Sequence, residues 1–337
     1  MAKSACPLCE ESGHPGNLIE KNGYTVVRCP HCDLVRVDPQ PDPEDIARYY
    51  SAEQGYHVHL VEDEKEQKRL ASRNRERLEL IDKHITEKGP LLDVGCSLGL
   101  FLGHAKQRGW EVSGVEINAH TAEQAQIRCG ATVHHGDLET VTLASGSQLV
   151  ITFFDTLEHV LDPRSGLEKA YELLRPGGIV MITAPNIDGL LPRSTYRLLA
   201  QPFGVWDHPS PPAHLFDFSV KTLTMMLQKT GFEPVLAKTE TIRMGYAAGK
   251  LTAALITVGK KVLGRSGSPA PATGDPGETG ARPGLAPGAH GRSSRSQQAL
   301  RSAAMLLSLS WILAIYPFGA LLDRSNSLVV IGRKPRR

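Results

Sequence analysis

The stretch Leu91-Leu92-Asp93-Val94-Gly95-Cys96-Ser97-Leu98-Gly99-Leu100-Phe101-Leu102 decides the fold of this chain. Leu91 to Val94 is a short apolar run interrupted by one acid, and it reads as a buried strand. Glycines follow at 95 and 99, and Leu98 to Leu102 opens an apolar-faced helix. A glycine-rich turn from strand to helix lets a ligand approach the backbone and aims helix N–H groups at an anion. The next apolar run, Val112 to Val115, ends on Glu116. A doubly wound α/β fold places a ribose-binding carboxylate at that point. The loop spacing is G-x-x-x-G rather than G-x-G-x-x-G, which argues for a nucleoside ligand without a pyrophosphate.

Taken with the segments downstream, this run resembles the first motif of class I S-adenosylmethionine (SAM) methyltransferases. His134-His135-Gly136-Asp137-Leu138 is similar to the segment whose acid meets the adenine amino group. Leu149 to Phe154, then Asp155-Thr156-Leu157-Glu158-His159-Val160, resembles the fourth strand and its loop. Leu174-Arg175-Pro176-Gly177-Gly178 with Ile179 to Thr183 resembles the turn into the fifth strand. His214-Leu215-Phe216, Phe218-Ser219 and Leu223 through Gly231-Phe232 resemble the final helix and sixth strand of the branch that includes ubiquinone-pathway O-methyltransferases. The resemblance covers roughly residues 89–243. It implies an α/β, doubly wound, Rossmann-like seven-stranded sheet whose last strand is antiparallel. It also implies SAM as cofactor, contacted by Asp93, Gly95, Cys96, Ser97, Gly99, Glu116, Ile117, Asp137, Leu138, Phe154 and Asp155. Asp93, Glu116 and Asp137 would hold the amino-acid end, the ribose and the adenine. Ser97 stands where the family carries its middle glycine, so the backbone angles of the loop are in question there.

Four of the six cysteines form Cys6-Pro7-Leu8-Cys9 and Cys29-Pro30-His31-Cys32. Two C-x-x-C pairs at this separation have the spacing of a zinc ribbon, each knuckle offering two thiolates from one tight turn. A redox dithiol is the competing reading, and the presence of two pairs disfavours it. The expected structural Zn²⁺ ligands are therefore Cys6, Cys9, Cys29 and Cys32.

With 41% hydrophobic and 22% charged residues, the 337-residue chain has an ordinary globular composition, enough for one large core and a satellite. A net charge of +2 and the lack of a basic stripe disfavour nucleic acid as a partner. Met1 to Glu10 has cysteines and no apolar run of the kind a secretory signal needs, so a cytoplasmic, reducing setting is expected. The chain divides into a zinc ribbon (1–38), a helical connector (39–88), the SAM-binding core (89–243), a helical insertion (244–323) with a disordered loop (264–296), and a final strand with a basic tail (324–337). Ser302 to Leu322 is uncharged and long enough for a membrane span. The strand-like Ser327 to Ile331 must return to the sheet, however, so the insertion reads as a helical hairpin. That hairpin would cap the site, with peripheral membrane contact through 302–322 as a further role.

Asp155, Glu158 and His159 are spaced i, i+3 and i+4, which on a helix puts them on one face beside the expected sulfonium. His159 is the candidate general base. Alternatively, a second divalent metal sits near Asp155, Glu158 and His159, completed by His208 or His214. In a third reading His159 is structural. His214, on the proline-rich 207–216 loop, is the second catalytic candidate. The expected function is methyl transfer from SAM to a small-molecule or lipid/glycan-linked acceptor, at a hydroxyl. A zinc-ribbon interaction protein with a degenerate, non-catalytic methyltransferase domain is the alternative.

Overall fold

The computed structural model describes residues 5–11, 15–52, 64–206, 208–240, 244–262, 304, 306–308, 310–311, 314 and 325–336. Three short strands open the chain: β1 (Gly16–Lys21), β2 (Tyr24–Arg28) and β3 (Val35–Val37). Helices α1 (Pro43–Ala52) and α2 (Glu64–His84) follow. The αβ alternation then runs β4 (Pro90–Val94), α3 (Leu100–Gln107), β5 (Glu111–Glu116), α4 (Ala119–Cys129), β6 (Thr132–His135), β7 (Gln148–Phe154), α5 (Pro163–Leu173) and β8 (Leu174–Pro185). After it come α6 (Leu190–Thr195), β9 (Phe216–Asp217), α7 (Val220–Lys229), β10 (Glu233–Glu240), α8 (Met244–Val262) and β11 (Ser327–Arg333).

The large sheet has seven strands in the order β10-β11-β8-β7-β4-β5-β6. Strands β4 to β8 are mutually parallel, and β11 runs antiparallel between β8 and β10, as the resemblance implies. The central strands are covered on both faces, which is why they read as unbroken apolar runs. Their side chains divide with period two. Leu92, Ile151, Val180, Ile182 and Val330 enter one hydrophobic cluster, while Leu91, Val150, Ile179, Met181 and Val329 enter the other. The flanking helices start on local signals. Asp162 caps α5 through the Arg164 and Ser165 amides, and Ser219 with Thr222 forms a capping box on α7.

The sequence does not announce how the cysteine ribbon joins this core. Its strands continue into a second sheet of order β1-β2-β3-β9, whose last member, Phe216–Asp217, belongs to the loop after α6. Cys6, Leu8, Cys29, Cys32 and Leu34 share one cluster with Leu215, Phe216 and Phe218.

Helix α8 packs Leu251 and Ala254 on Leu191 and Leu199, beside Trp311. Thr252 donates a hydroxyl hydrogen bond to Ser308 at 2.9 Å, joining α8 to the 304–311 segment. The expected disordered loop, 264–296, and most of 302–322 lie outside the described residues. Among the described residues, no helix is long and apolar enough to cross a membrane.

Candidate functional site

The carboxyl ends of β4, β5 and β7 converge, and the glycine loop crosses them. Gly95, Ser97 and Gly99 all take left-handed angles, with φ of 71°, 49° and 71°. Ser97 thus adopts a glycine's conformation despite its side chain, at a cost of about 1–2 kcal/mol, so the loop keeps its path. A Cβ on Gly95 would lie 2.5 Å from the Thr156 side chain, so only glycine fits where the loop after β7 crosses. Glu116 is 7% exposed and braces the loop. One of its oxygens accepts the Ser97 N–H at 2.9 Å and the other the Asn118 N–H at 3.0 Å. The Ile117 N–H also bears on this carboxylate, and of the roughly four acceptor positions a carboxylate offers, capacity remains for a ribose hydroxyl. Burial raises the Glu116 pKa, and the backbone N–H groups of Asn118 and Ser97 work against that rise.

Asp93 is buried in β4 and accepts the Thr152 hydroxyl at 2.6 Å; burial pushes its carboxyl up to about 7. Asp155, at φ 54°, takes the Arg77 guanidinium at 2.9 Å, and Arg73 lies 3.8 Å away. Burial raises the Asp155 pKa, but the two arginines outweigh burial and hold it below the ordinary range. Arg77 also donates to Thr183 and lies 4.0 Å over the Phe154 ring. Burial beside Arg73 lowers Arg77 to about 10. Arg77 lies in a stretch dense in charges of both signs, a pattern that by itself reads as a solvated helix face. Its available signal was position, four residues before the fully buried Ile81.

The other implied contacts are distributed unevenly. The Cys96 side chain is turned into the core, where a Cβ on Gly114 would meet its sulfur at 2.6 Å. Leu138 is likewise buried, and Phe154 packs edge-on against Phe101. Ile117 is 48% exposed, while Asp137 lies at the surface and accepts the Thr140 N–H at 2.8 Å.

Asp155, Glu158 and His159 do not share an α-helical face, because only Leu157–His159 is helical, as a single 3₁₀ turn. Asp155 faces Arg77, whereas Glu158 and His159 meet His214. The ligand atoms of Glu158, His159 and His214 lie within 4.8 Å of one another, and the two rings meet edge-to-face at 4.8 Å. His159 Nδ1 lies 2.9 Å from the Ala213 carbonyl. A carbonyl only accepts, so Nδ1 carries the proton and Nε2 is the basic nitrogen. His159 is half-buried; His214 is buried, with Nδ1 4.0 Å from Asp217.

The four ribbon cysteines converge as their spacing predicts. Cys6 and Cys32 sulfurs are 3.6 Å apart, as are those of Cys9 and Cys29, and all four lie within 4.8 Å of one another. Thiolates about 2.3 Å from a tetrahedral zinc would lie about 3.8 Å apart, so this donor set fits Zn²⁺. The Cys32 thiol donating to Cys6 holds Cys6 down to about 4 and raises Cys32.

A wide cleft of about 530 Å³ beside Trp110, Glu111 and Thr132 lies at the amino ends of β5 and β6. Sheets of this kind bind ligands at the carboxyl ends, where the glycine loop sits.

A methyltransferase-domain family profile matches residues 63–237, just over half of the chain. A ubiquinone biosynthesis O-methyltransferase of Pseudomonas entomophila is 32% identical over 130 residues, covering 36% of this chain and 56% of that protein. The one from Chromobacterium violaceum is 31% identical over 117 residues, covering 33% and 50%. The chain thus spans about half the length of the curated relatives it matches. A Haemonchus contortus phosphoethanolamine N-methyltransferase 2, solved with phosphomonomethylethanolamine and S-adenosylhomocysteine, superposes with TM-score 0.46 at 17% identity. It covers 77% of this chain and 52% of that one.

Proposed function

This chain belongs to the methyltransferase-domain family, and from that premise we propose that it transfers a methyl group from SAM to the hydroxyl of a small-molecule or lipid/glycan-linked acceptor. The observation that carries the reading is the buried Glu116 carboxylate, braced by Ser97 and Asn118 at the carboxyl end of β5. In this reading residues 89–243 bind the cofactor, 1–38 bind zinc and 244–323 cover the acceptor. Bound SAM supplies an electrophilic methyl on a sulfonium that departs as a thioether. Asp93 would hold the amino-acid end of SAM, Glu116 its ribose diol and Asp137 its adenine, and the glycine loop would admit the cofactor to the backbone. His159 takes the acceptor proton at Nε2 while Nδ1–H stays on Ala213. The hydroxyl target is supported by the O-methyltransferase names of the relatives. The apolar packing of α8 near α6 suits a greasy acceptor.

Glu116→Ala is expected to weaken SAM binding at least about tenfold, since a charge-assisted hydrogen-bond pair is lost. Calorimetry on wild type and variant tests this. Unchanged affinity removes the ribose role, and no binding by wild type would favour the non-catalytic interaction protein.

Asp93 adds a pH dependence. The cationic amino group of SAM, which Asp93 would hold, would favour the ionised form of this carboxyl, whose pKa burial pushes up to about 7. SAM affinity should therefore fall about eightfold from pH 7.5 to 6, and Asp93→Asn should flatten that profile. In the cofactor-free protein the sign is opposite. The buried acid is tolerated when protonated, so its contribution to stability is present below the unfolded value and lost as pH rises through about 7.

A second reading rests on the cluster of Glu158, His159 and His214, whose donor set fits a divalent cation. Asp155 has no part in it, being held by Arg77. If a cation there activates the acceptor, chelation abolishes transfer and one added equivalent restores it while the cysteine site stays loaded. Transfer that persists with only the cysteine-bound metal present excludes it.

A further inference from the structure

We propose that the cysteine ribbon is a positioning element of the acceptor side: the strand leaving its second knuckle holds the His159–His214 pair in place through a continuous backbone ladder. The proposal rests on the assignment above of the cysteines to zinc and of the two histidines to the acceptor side.

The ladder starts at the knuckle, where the Asp33 amide donates to the Cys29 carbonyl at 3.1 Å and the Cys29 amide to the Leu34 carbonyl at 2.9 Å. The chain then enters β3, which pairs Val35 with Asp217 and Arg36 with Phe216. One step further the Val37 amide donates to the Leu215 carbonyl at 2.9 Å, and the Leu215 amide donates to the Glu158 carbonyl at 2.9 Å. His159 closes the path with its hydrogen bond to Ala213. A two-residue strand such as β9 cannot persist alone, and its flanking backbones must hold it.

The preceding loop depends on the ribbon in a second way. Prolines at 209, 211 and 212 deprive it of amide donors, so its carbonyls need partners from elsewhere. The tip of the β1–β2 hairpin supplies them. Lys21 donates to the carbonyls of Trp206 at 2.9 Å and Pro209 at 2.7 Å, and Asn22 donates to Pro211 at 2.8 Å. The cofactor side is braced from within the large sheet instead, by Glu116 on Ser97 and by the Gly95 amide on the Val115 carbonyl at 2.8 Å. Loosening the ribbon should therefore free the histidines and spare the glycine loop.

The test uses the full-length, zinc-loaded protein and two variants that leave all four cysteines intact. Val37→Pro removes the amide that reaches Leu215, and Lys21→Met releases two loop carbonyls. The expected result in both is one zinc per chain, SAM affinity within about twofold of wild type, and Leu215 amide exchange at least about tenfold faster. The ¹⁵N shifts of the His159 ring should also move, which a ribbon serving only stability would not cause. Unchanged Leu215 exchange and an unchanged His159 signal in Val37→Pro overturn the proposal. So does equal loss of protection at Leu92 and Val94 in Lys21→Met, because the ribbon would then support the whole fold. If Val37→Pro does not fold, Lys21→Met decides by the same readouts. A wild type that fails to bind SAM counts against the proposed activity and leaves these readouts intact.

Discussion

Replacing His159 by alanine should lower methyl transfer by about 10²–10⁴-fold while SAM affinity stays within about twofold, the range expected when a positioned general base is removed. The geometry supports an effect confined to the chemical step. The ring is oriented by Ala213 and by the edge of His214, whereas Glu116 and the glycine loop stand on other strands. His214→Ala should act through the same ring, because buried His214 supports His159 from the side. Its loss should be smaller, and His159→Ala should hide it in the double variant. The assay follows labelled methyl from SAM onto an acceptor drawn from a screen of phenolic and glycan hydroxyl compounds. Near-normal turnover in His159→Ala would leave that histidine a structural role.

The second large effect is expected at the cysteines. Wild-type protein purified without chelator should carry one zinc per chain, and Cys29→Ala should lower zinc affinity at least about 100-fold. Structural zinc sites contribute roughly 10–16 kcal/mol of binding in isolated fingers, so losing one of four thiolates is severe. Because Cys29 shares its hydrophobic cluster with Phe216 and Phe218, the ribbon and its docked strand should melt at lower temperature, while the transition of the large sheet stays close to that of wild type. Elemental analysis and a chromogenic chelator competition measure the first effect, and calorimetric melting the second. A metal-free wild type, or a Cys29→Ala protein that binds zinc as tightly as wild type, would remove the zinc assignment.

Some of this architecture is legible from local pattern and some is not. Leu91 to Val94, Val112 to Val115 and Leu149 to Phe154 each announce a buried strand, because a parallel sheet covered on both faces requires continuous apolar runs. The C-x-x-C knuckles announce their own convergence, since each fixes two ligands within a single turn. By contrast, the i, i+3, i+4 spacing of Asp155, Glu158 and His159 suggested a shared helical face. The left-handed angle at Asp155 and the pull of Arg77 separate that acid from the other two. His214 joins Glu158 and His159 across more than fifty residues, a tertiary meeting that no spacing encodes. The pairing of Val35–Val37 with Phe216–Asp217 is hidden for the same reason, being too short to carry a periodicity of its own. Arg77 does not stand out among charges of both signs, because a buried guanidinium looks like a solvated one until its carboxylate partner, Asp155, is known.

Strand β11 bears on synthesis as well as on packing. It lies in the interior of the large sheet, yet it is made after every strand it touches. While the ribosome is still adding residues 241–326, β8 and β10 have no neighbour on the sides that β11 will occupy, and each presents a row of unpaired amides and carbonyls. Such edges recruit other strands, so a nascent chain stalled before Ser327 should be a client for chaperones and prone to aggregation. The cost of closing a loop rises only slowly with its length. The insertion therefore delays completion of the sheet chiefly through the time taken to translate it, and rare codons within it should lower the soluble yield without altering a single residue of the product.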